Sequence, residues 1–288
     1  GLFVPIDFGF MNIKLARHAK QLGWRVLYFI PPGSWRKDRQ GEDLPKVTDM
    51  IVTPFSWSAD ILRGMGANAH WFGHPMKEIV RTTAPLGQER SGIAVLPGSR
   101  SAEIEHNLPV LAETMQGFPA STFVVAPNLE EEAMRVQWLS LAKDRKKDRF
   151  VKAPAPVVLA RSEGAIVCSG TATLQASLCR CPMVVIYRIS KSAEREAKLL
   201  RVRPKFISLP NIFLDRPVIP ELIQHDATPE RIRDELWRAM HPGEAHEAQM
   251  AAFDELDEML GPPDAVTRAG KLALAMCDKS WSPSDPLM

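Results

Sequence analysis

Short apolar runs alternate with segments of helical periodicity along most of the chain. The runs have the length of buried strands, while the segments between them repeat apolar residues every three to four positions. The predicted strands are 2–6, 25–30, 49–53, 67–72, 92–96, 122–126, 150–152, 165–168, 183–187 and 206–209. The predicted helices between them are 12–22, 56–63, 102–115, 130–142, 155–161, 171–178 and 192–202. This alternation predicts an α/β fold with parallel sheets.

The predicted series divides at residues 82–91, which lack periodicity and precede a new strand–helix unit. Because the chain opens on the end of a strand, we expect residues 1–88 to be the C-terminal part of one Rossmann-like domain. Residues 89–277 are expected to form a second Rossmann-like domain, which includes C-terminal helices predicted at 229–240, 246–259 and 263–276. Residues 278–288, rich in serine and proline, are expected to be a flexible tail.

The composition is that of an ordinary globular protein, with 45% hydrophobic and 24% charged residues. The net charge of +2 gives no argument for nucleic-acid binding. The four cysteines lack the spacing of a zinc site, so we expect no metal and a reducing, cytoplasmic location. No apolar run approaches the ~18 residues of a membrane-spanning helix.

Two strand-to-helix turns carry the candidate chemistry: PGSRS at 97–101 and SGTAT at 169–173. Ligands of open α/β sheets bind at the carboxyl ends of the strands, and a helix N-terminus there favours a phosphate. Arg100 could add a bidentate contact. The alternative is that Ser99 or Ser101 only caps its helix and Arg100 is solvated. A second such turn favours a shared anion site, and the absence of Walker and GxGxxG spacing argues against ATP and NAD.

Four motifs in order, LPGSRSAEI, CSGTATLQASL, PMVVIYR and SLPNIFLDRPVIPELIQ, resemble the lipid-A-disaccharide synthase family. The resemblance extends upstream through PIDFGFMN and WFGHPM and reaches to about residue 224, while the family's glycine-rich opening segment is absent. It implies an inverting glycosyltransferase of the GT-B type, with the first of two Rossmann-like domains only partly present. The implied reaction moves an acylated glucosamine from a UDP-sugar to a lipid-linked glucosamine phosphate, without cofactor or metal.

The resemblance also implies the site residues. The UDP-sugar would be held by Ser99, Arg100, Glu103, Ser169, Gly170, Thr171, Ala172, Thr173, Gln175, Asn211 and Glu221. Considered alone, Asn211 is better explained by a turn and Glu221 by a helix cap, whereas their place in these motifs favours the functional interpretation. On the acceptor side Asp7 would be the catalytic base, although an N-cap explains it equally well. Asn12 and His74 are further candidates for the cleft.

The chain departs from the family's pattern at three places. Gln175 replaces a glutamate suited to a ribose diol, since a carboxylate accepts two hydroxyl protons and an amide oxygen offers less. Phe10 replaces the second acid of the segment that contains Asp7. The third departure is a charged stretch whose basic residues recur at helical spacing; they are Arg188, Lys191, Arg195, Lys198, Arg201 and Lys205.

The charged stretch fits an anionic membrane surface or a solvated helix equally well. With the resemblance, it gives the expectation of a cytoplasmic protein peripheral to the inner membrane of a Gram-negative-type bacterium. The basic run 143–149 is interpreted as a solvated helix end without function. A paralogous transferase with another acceptor, a UDP-sugar epimerase and a non-catalytic UDP-binding relative remain as alternatives.

Overall fold

A computed structural model describes residues 1–31, 40–84, 87–190, 192–195 and 204–284. Its strands form two sheets in which all neighbouring strands are parallel, which confirms the predicted α/β fold with parallel sheets. The first sheet has the order β1-β2-β3-β4, and its strands are β1 Leu2–Phe3, β2 Arg25–Phe29, β3 Met50–Thr53 and β4 Ala69–Trp71. The second has the order β10-β9-β8-β5-β6-β7, and its strands are β5 Ile93–Leu96, β6 Thr122–Val124, β7 Arg149–Val151, β8 Gly164–Cys168, β9 Met183–Tyr187 and β10 Glu221–Ile223.

The described helices lie mostly between consecutive strands, as right-handed crossovers require. Those that begin before residue 100 are α1 Gly9–Gln21, α2 Gln40–Val47, α3 Ser56–Gly64 and α4 Pro75–Thr83. The later ones are α5 Ser101–Thr114, α6 Glu131–Leu141, α7 Ala155–Leu159, α8 Thr171–Leu178, α9 Leu209–Leu214, α10 Pro229–Met240, α11 Glu244–Met259 and α12 Ala265–Ala275. None of these helices is long and apolar enough to cross a bilayer.

The chain divides into two compact units, and the division differs from the predicted domains. Unit 1 comprises Gly1–Ile79 and Leu260–Met288, and unit 2 comprises Val80–Met259. The prediction assigned the last helix to the second domain, whereas α12 buries Ala265, Ala269 and Leu272 against the first sheet. An amphipathic helix shows which of its faces is apolar, but its sequence does not show which sheet that face covers.

The first sheet is covered on both faces, which explains why its central strands are apolar throughout. Val26 and Tyr28 of β2 face a core built with α1 and α3. Their neighbours Leu27 and Phe29 point the other way, into the core that α12 completes. The two faces therefore use alternate residues of one strand.

The segment after α12 was expected to be a flexible tail, but its described part is held against unit 1. The Arg25 guanidinium donates hydrogen bonds to backbone carbonyls of Met276 at 2.7 Å, Lys279 at 3.0 Å and Trp281 at 3.1 Å. Trp281 also packs against the core beneath α12. The Arg25 side chain thus fixes the segment after α12, because its guanidinium satisfies several backbone carbonyls at once.

The basic run 143–149 was interpreted as solvated, but it contains a buried ion pair of unit 2. The side chains of Arg145 and Asp148 are 8% and 1% exposed, and their charged atoms lie 2.7 Å apart. Asp148 also accepts hydrogen bonds from the Ser121 amide at 2.9 Å and the Trp138 indole at 3.0 Å. The pair joins α6 to the start of β6, so part of this run is structural.

The predicted strand at 206–209 is wrong, and the edge of the second sheet is formed by β10 instead. The amides of Ile207 and Ser208 donate to the Glu221 carboxylate at 3.0 Å and 2.8 Å rather than to a neighbouring strand. A half-buried carboxylate can replace a strand as the acceptor for backbone amides, and an apolar run does not reveal this exchange.

Candidate functional site

Unit 2 contains a cavity of about 740 Å³ where β5, β6, β7 and β8 end. All four strands are parallel, so their carboxyl ends share one edge of the sheet, where ligands of such folds bind. The residues that line the cavity are Leu96, Gly98, Ser99, Glu103, Val124, Val125, Ala126, Pro127, Lys152, Ala153, Pro154, Ala155, Cys168, Ser169, Gly170, Thr171, Ala172 and Gln175. The two predicted turns, 97–101 and 169–173, therefore both contribute to one site.

The cavity has an apolar side and a polar side. The segments 124–127 and 153–155, which follow β6 and β7, supply small apolar surfaces. The segment 169–172 and Gln175 supply hydroxyl, amide and backbone N–H groups. Sequence reasoning missed the apolar side, although its position could be found from the ends of two predicted strands. An apolar surface beside hydrogen-bond donors suits a nucleotide.

The N-terminus of α8 is open toward an anion. Its N-cap Gly170 has a φ of 140°, offers no side chain and makes no capping hydrogen bond. The Thr173 hydroxyl donates to the Gly170 carbonyl at 2.8 Å and accepts from the Leu209 amide at 3.1 Å. The first amides of a helix have no intrahelical acceptor, so Thr171 and Ala172 keep theirs for a ligand. Thr173 itself is fully buried and structural.

The N-terminus of α5 is already occupied by a carboxylate of its own. Glu103 accepts hydrogen bonds from the amides of Ser99 at 2.8 Å and Arg100 at 3.2 Å. Its other oxygen accepts from the Arg100 guanidinium at 2.6 Å. A β-carbon at Gly98 would lie 2.6 Å from the Glu103 β-carbon, so only glycine permits this close approach. The predicted anion-binding turn at 97–101 is thus internally satisfied.

Arg100 lies beside the cavity rather than in its lining. Its side chain is 78% exposed, and its contact with Glu103 is made through Nη1. Hydrogen bonding to Glu103 and the charge of that carboxylate raise the pKa of Arg100. The guanidinium is therefore charged, and its remaining donors face solvent.

Asn211 and Glu221 were predicted to line the UDP site, but the structure joins the buried Asn211 to the half-buried Glu221 in one hydrogen-bond network. Asn211 Nδ2 donates to the Glu221 carboxylate at 2.8 Å and to the Ile219 carbonyl at 2.9 Å. Its Oδ1 accepts the amides of Val218 and Ile219. These polar groups hold the loop between β9 and β10, and they are not brought to the cavity. Ser169 lines the cavity, while its hydroxyl donates to Ile207 at 2.6 Å.

Asp7 lies exposed after β1, and the helix that follows does not use it as a cap. The N-cap of α1 is Phe8, which makes no side-chain capping bond. Asp7 and Phe8 have φ values of 49° and 46°, unusual for residues with side chains. Burial, followed by the charge of Asp7, raises the pKa of Tyr28 to about 12. The carboxylate is thus on the carboxyl edge of the first sheet, where a base was predicted.

Asn12 and His74 serve the local structure of unit 1. Asn12 Nδ2 donates to the carbonyls of Ile6 at 3.1 Å and Asp7 at 2.7 Å, which holds the strained turn. His74 Nδ1 accepts the Met76 amide at 3.1 Å at the start of α4. Burial lowers the pKa of His74 to about 4, so its imidazole is neutral at pH 7.

The predicted basic stretch and the expectation about metal binding can be compared only with the residues that the structure describes. Of the basic stretch, Lys191, Lys198 and Arg201 lie outside the described residues. The described residues contain no group of three or more His, Cys, Asp or Glu side chains placed to hold a metal ion.

Comparison with known proteins adds to this geometry. A family model for lipid-A-disaccharide synthetase matches residues 1–271. The lipid-A-disaccharide synthase of Anaeromyxobacter dehalogenans (strain 2CP-C) is 33% identical over 288 residues, which cover 94% of this chain and 74% of the relative. That of Myxococcus xanthus (strain DK1622) is 32% identical over 290 residues, with 95% and 74% covered.

A solved structure of a UDP-N-acetylglucosamine 2-epimerase has the same fold. The match has a TM-score of 0.60 and 12% identity, and it covers 99% of this chain and 75% of the epimerase. At this identity the likeness concerns the fold alone.

Proposed function

The chain belongs to the lipid-A-disaccharide synthase family, and we propose that it transfers an acylated glucosamine from a UDP-sugar to a lipid-linked glucosamine phosphate. The observation that carries this proposal is the cavity of unit 2, in which an apolar surface adjoins the open N-terminus of α8. The uracil base would lie against residues 124–127 and 153–155. The diphosphate would accept the amides of Thr171 and Ala172.

The reaction is a direct displacement at the anomeric carbon with inversion of configuration. Negative charge grows on the departing UDP as the glycosidic bond breaks. Fixed donors aimed at that charge stabilise the transition state, and the α8 amides together with the Arg100 guanidinium supply them. We therefore propose that these donors stabilise the departing UDP without a metal or a cofactor.

The acceptor hydroxyl needs a base, because an alcohol is a weak nucleophile at neutral pH. We assign this role to Asp7. Phe10, which stands where the family's segment has a second acid, is 63% exposed and takes no proton. Asp7 is exposed and is not used as a helix cap, so its carboxylate is available.

We further propose that the enzyme works on the cytoplasmic face of an anionic inner membrane. The start of α1 supports this, because Ile6, Phe8, Phe10 and Met11 are each at least half exposed. The helix itself contains Lys14, Arg17, His18 and Lys20 and no acidic residue. Exposed apolar residues next to cations are typical of elements that lie in a bilayer interface. The described basic residues Arg188, Arg195 and Lys205 could add to the attraction.

Acceptor-dependent release of UDP tests the proposed reaction. Asp7→Asn should lower transfer by ~10²–10⁴-fold while UDP affinity is retained, since a positioned base contributes that much. Asp60→Asn, on the exposed surface of α3, is the matched control and should leave transfer unchanged. Isomerisation of the UDP-sugar without an acceptor would instead identify an epimerase. UDP binding without turnover of either kind would identify a non-catalytic relative.

Vesicle co-sedimentation tests the membrane proposal separately. Phe8→Ser with Phe10→Ser should reduce binding to vesicles that contain anionic lipid. Leu274→Ser removes a 75% exposed leucine from α12 and should not. Equal binding of all variants would contradict a membrane role for the start of α1.

A further inference from the structure

The Glu103 carboxylate is the charged group of the cavity lining that is fully committed to other protein groups. It is 8% exposed as a residue, and it receives two backbone amides and one guanidinium nitrogen. A carboxylate satisfied in this way has no reason to contact an anionic ligand, and its charge would repel one. The family resemblance implied that Glu103 binds the UDP-sugar. These contacts indicate a different role for this residue.

We propose that Glu103 is a positioning residue, which holds the Arg100 guanidinium in the orientation that receives the diphosphate. The inference rests on the proposed binding of UDP in this cavity, and it assigns Glu103 an effect transmitted through Arg100.

The geometry supports transmission through Arg100. Glu103 holds the guanidinium at Nη1, 2.6 Å from Oε1, and an arginine has five N–H donors. The other donors remain available to a phosphate, which a guanidinium group binds through two parallel hydrogen bonds. At 78% exposure the Arg100 side chain has few other restraints on its rotamers. An arginine that is already oriented loses less conformational freedom when it binds.

Two ionisable side chains, Cys168 and Tyr187, lie close enough to the Glu103 carboxylate to be affected by its charge. Burial, followed by the charge of Glu103, raises the pKa of Cys168 to about 12. The same two causes, in the same order, raise the pKa of Tyr187. Both groups stay protonated at neutral pH, so neither adds a negative charge beside the Glu103–Arg100 pair.

Backbone conformation is adapted to this pairing. Gly98 has a φ of 134°, and a β-carbon there would lie 2.8 Å from Glu103 Oε2. The turn thus leaves open the space that the carboxylate fills. In contrast, the N-cap of α8 is Gly170, and no atom of the described residues fills the corresponding place beside it. Of the two turns, the α5 turn orients a side chain and the α8 turn leaves its amides for the ligand.

Two substitutions separate positioning from charge. In Glu103→Gln an amide N–H would face the guanidinium, so the Arg100 contact is lost while a backbone amide keeps an acceptor. Glu103→Asp keeps the charge and the acid at the helix N-terminus, but it withdraws the carboxylate by one methylene. Glu105→Gln, on the exposed surface of the same helix, is the matched control.

Calorimetry with inorganic pyrophosphate and with UDP is the test, in wild-type and Arg100→Ala backgrounds. Both Glu103 variants should weaken both ligands about two- to tenfold, as expected for ordering one long side chain, and Glu105→Gln should not. In the Arg100→Ala background neither Glu103 variant should change affinity further. An equal loss in both backgrounds, or tighter binding by Glu103→Gln, would overturn the positioning role.

The two ligands distinguish this inference from the proposed function. If pyrophosphate shows the expected pattern and UDP does not bind, the nucleotide assignment is wrong and the role of Glu103 stands. If neither ligand binds the wild-type protein, both are overturned. Melting temperatures identify a variant that is merely unfolded, and Glu103→Asp then decides, because its acid at the start of α5 favours the helix.

Discussion

Gly73 has no space for a side chain, because a β-carbon on it would overlap the carbonyl oxygen of Pro262. The contact joins the end of β4 to the segment that enters α12, and the His74 amide donates to the Leu260 carbonyl at 2.8 Å beside it. A β-carbon on Gly261 would likewise overlap the Trp71 ring. The return of the chain to unit 1 therefore depends on two glycines.

We predict that Gly73→Ala destabilises unit 1 strongly. Gly66→Ala is the matched control, since Gly66 also has a positive φ, of 86°, but has open space around it. The control should cost about 1–2 kcal/mol from backbone strain, and Gly73→Ala about 1–3 kcal/mol more from overlap. Urea denaturation measures both. Equal losses would show that the Pro262 contact yields easily.

The architecture of each sheet could be predicted from the sequence, whereas the attachment of α12 could not. Strand–helix alternation is a local property, so the strands around β5 and β8 were predicted within a few residues. The attachment of α12 within unit 1 involves Gly73 and Gly261, whose importance lies in contacts between segments distant in sequence. A hydrophobic pattern contains no record of which distant surface covers a helix.

Removing one partner of the buried ion pair of Arg145 and Asp148 should strongly destabilise unit 2. Removing one partner of a buried pair leaves an uncompensated charge and typically costs about 3–5 kcal/mol. We therefore expect Asp148→Asn to lower the free energy of unfolding by about that amount in urea titrations. Asp144→Asn, four residues earlier and exposed, should change it by less than about 0.5 kcal/mol. A similar effect of the two would return the whole run to the solvated interpretation.

Unit 1 should lose stability as the pH falls from 6.5 toward 4. Burial lowers the pKa of His74 to about 4, whereas an unfolded histidine titrates near 6.5. In that interval the unfolded chain binds a proton that the native chain does not, so the free energy of unfolding decreases by up to about 1.4 kcal/mol per pH unit. Below the native pKa no further loss comes from this group.

The substitution His74→Asn tests this origin of the pH dependence. Asparagine is a good N-cap and can still accept the Met76 amide, but it does not titrate. Stability measured at pH 7 and pH 5 should therefore differ less in His74→Asn than in the wild type. His18→Asn, on the exposed surface of α1, should keep the full difference. An unchanged difference in His74→Asn would assign the effect to other groups.

The structure brings the two predicted turns together in one cavity. The roles of individual polar side chains around that cavity were less predictable from the sequence. The ends of β5 and β8 follow from the strand pattern, so 97–101 and 169–173 meet at one edge. The engagement of Glu103 with backbone amides, and of Asn211 with Glu221, depends on hydrogen bonds that the sequence does not specify. Polar residues in a motif can serve the loop or the ligand, and only their partners decide.

Gln175 provides the sharpest test of how the cavity would hold a nucleotide. It lies one turn along α8 from Thr171, and both residues line the cavity. If the ribose lies beside Gln175, a carboxylate there can accept both hydroxyls, and charged hydrogen bonds exceed neutral ones by about 1 kcal/mol. We therefore expect Gln175→Glu to tighten UDP binding about three- to tenfold, measured by calorimetry.

Two comparisons decide whether the gain belongs to the ribose. The nucleotide 2′,3′-dideoxy-UDP lacks the diol, so Gln175→Glu should leave its affinity unchanged or weaken it, because the new carboxylate then only repels the diphosphate. Gln116→Glu adds the same charge at an exposed position of unit 2, outside the cavity lining, and should leave both ligands unaffected. If dideoxy-UDP gains as much as UDP, the ribose does not lie at Gln175. The amides of Thr171 and Ala172 would then remain the diphosphate donors, with the sugar directed elsewhere in the cavity.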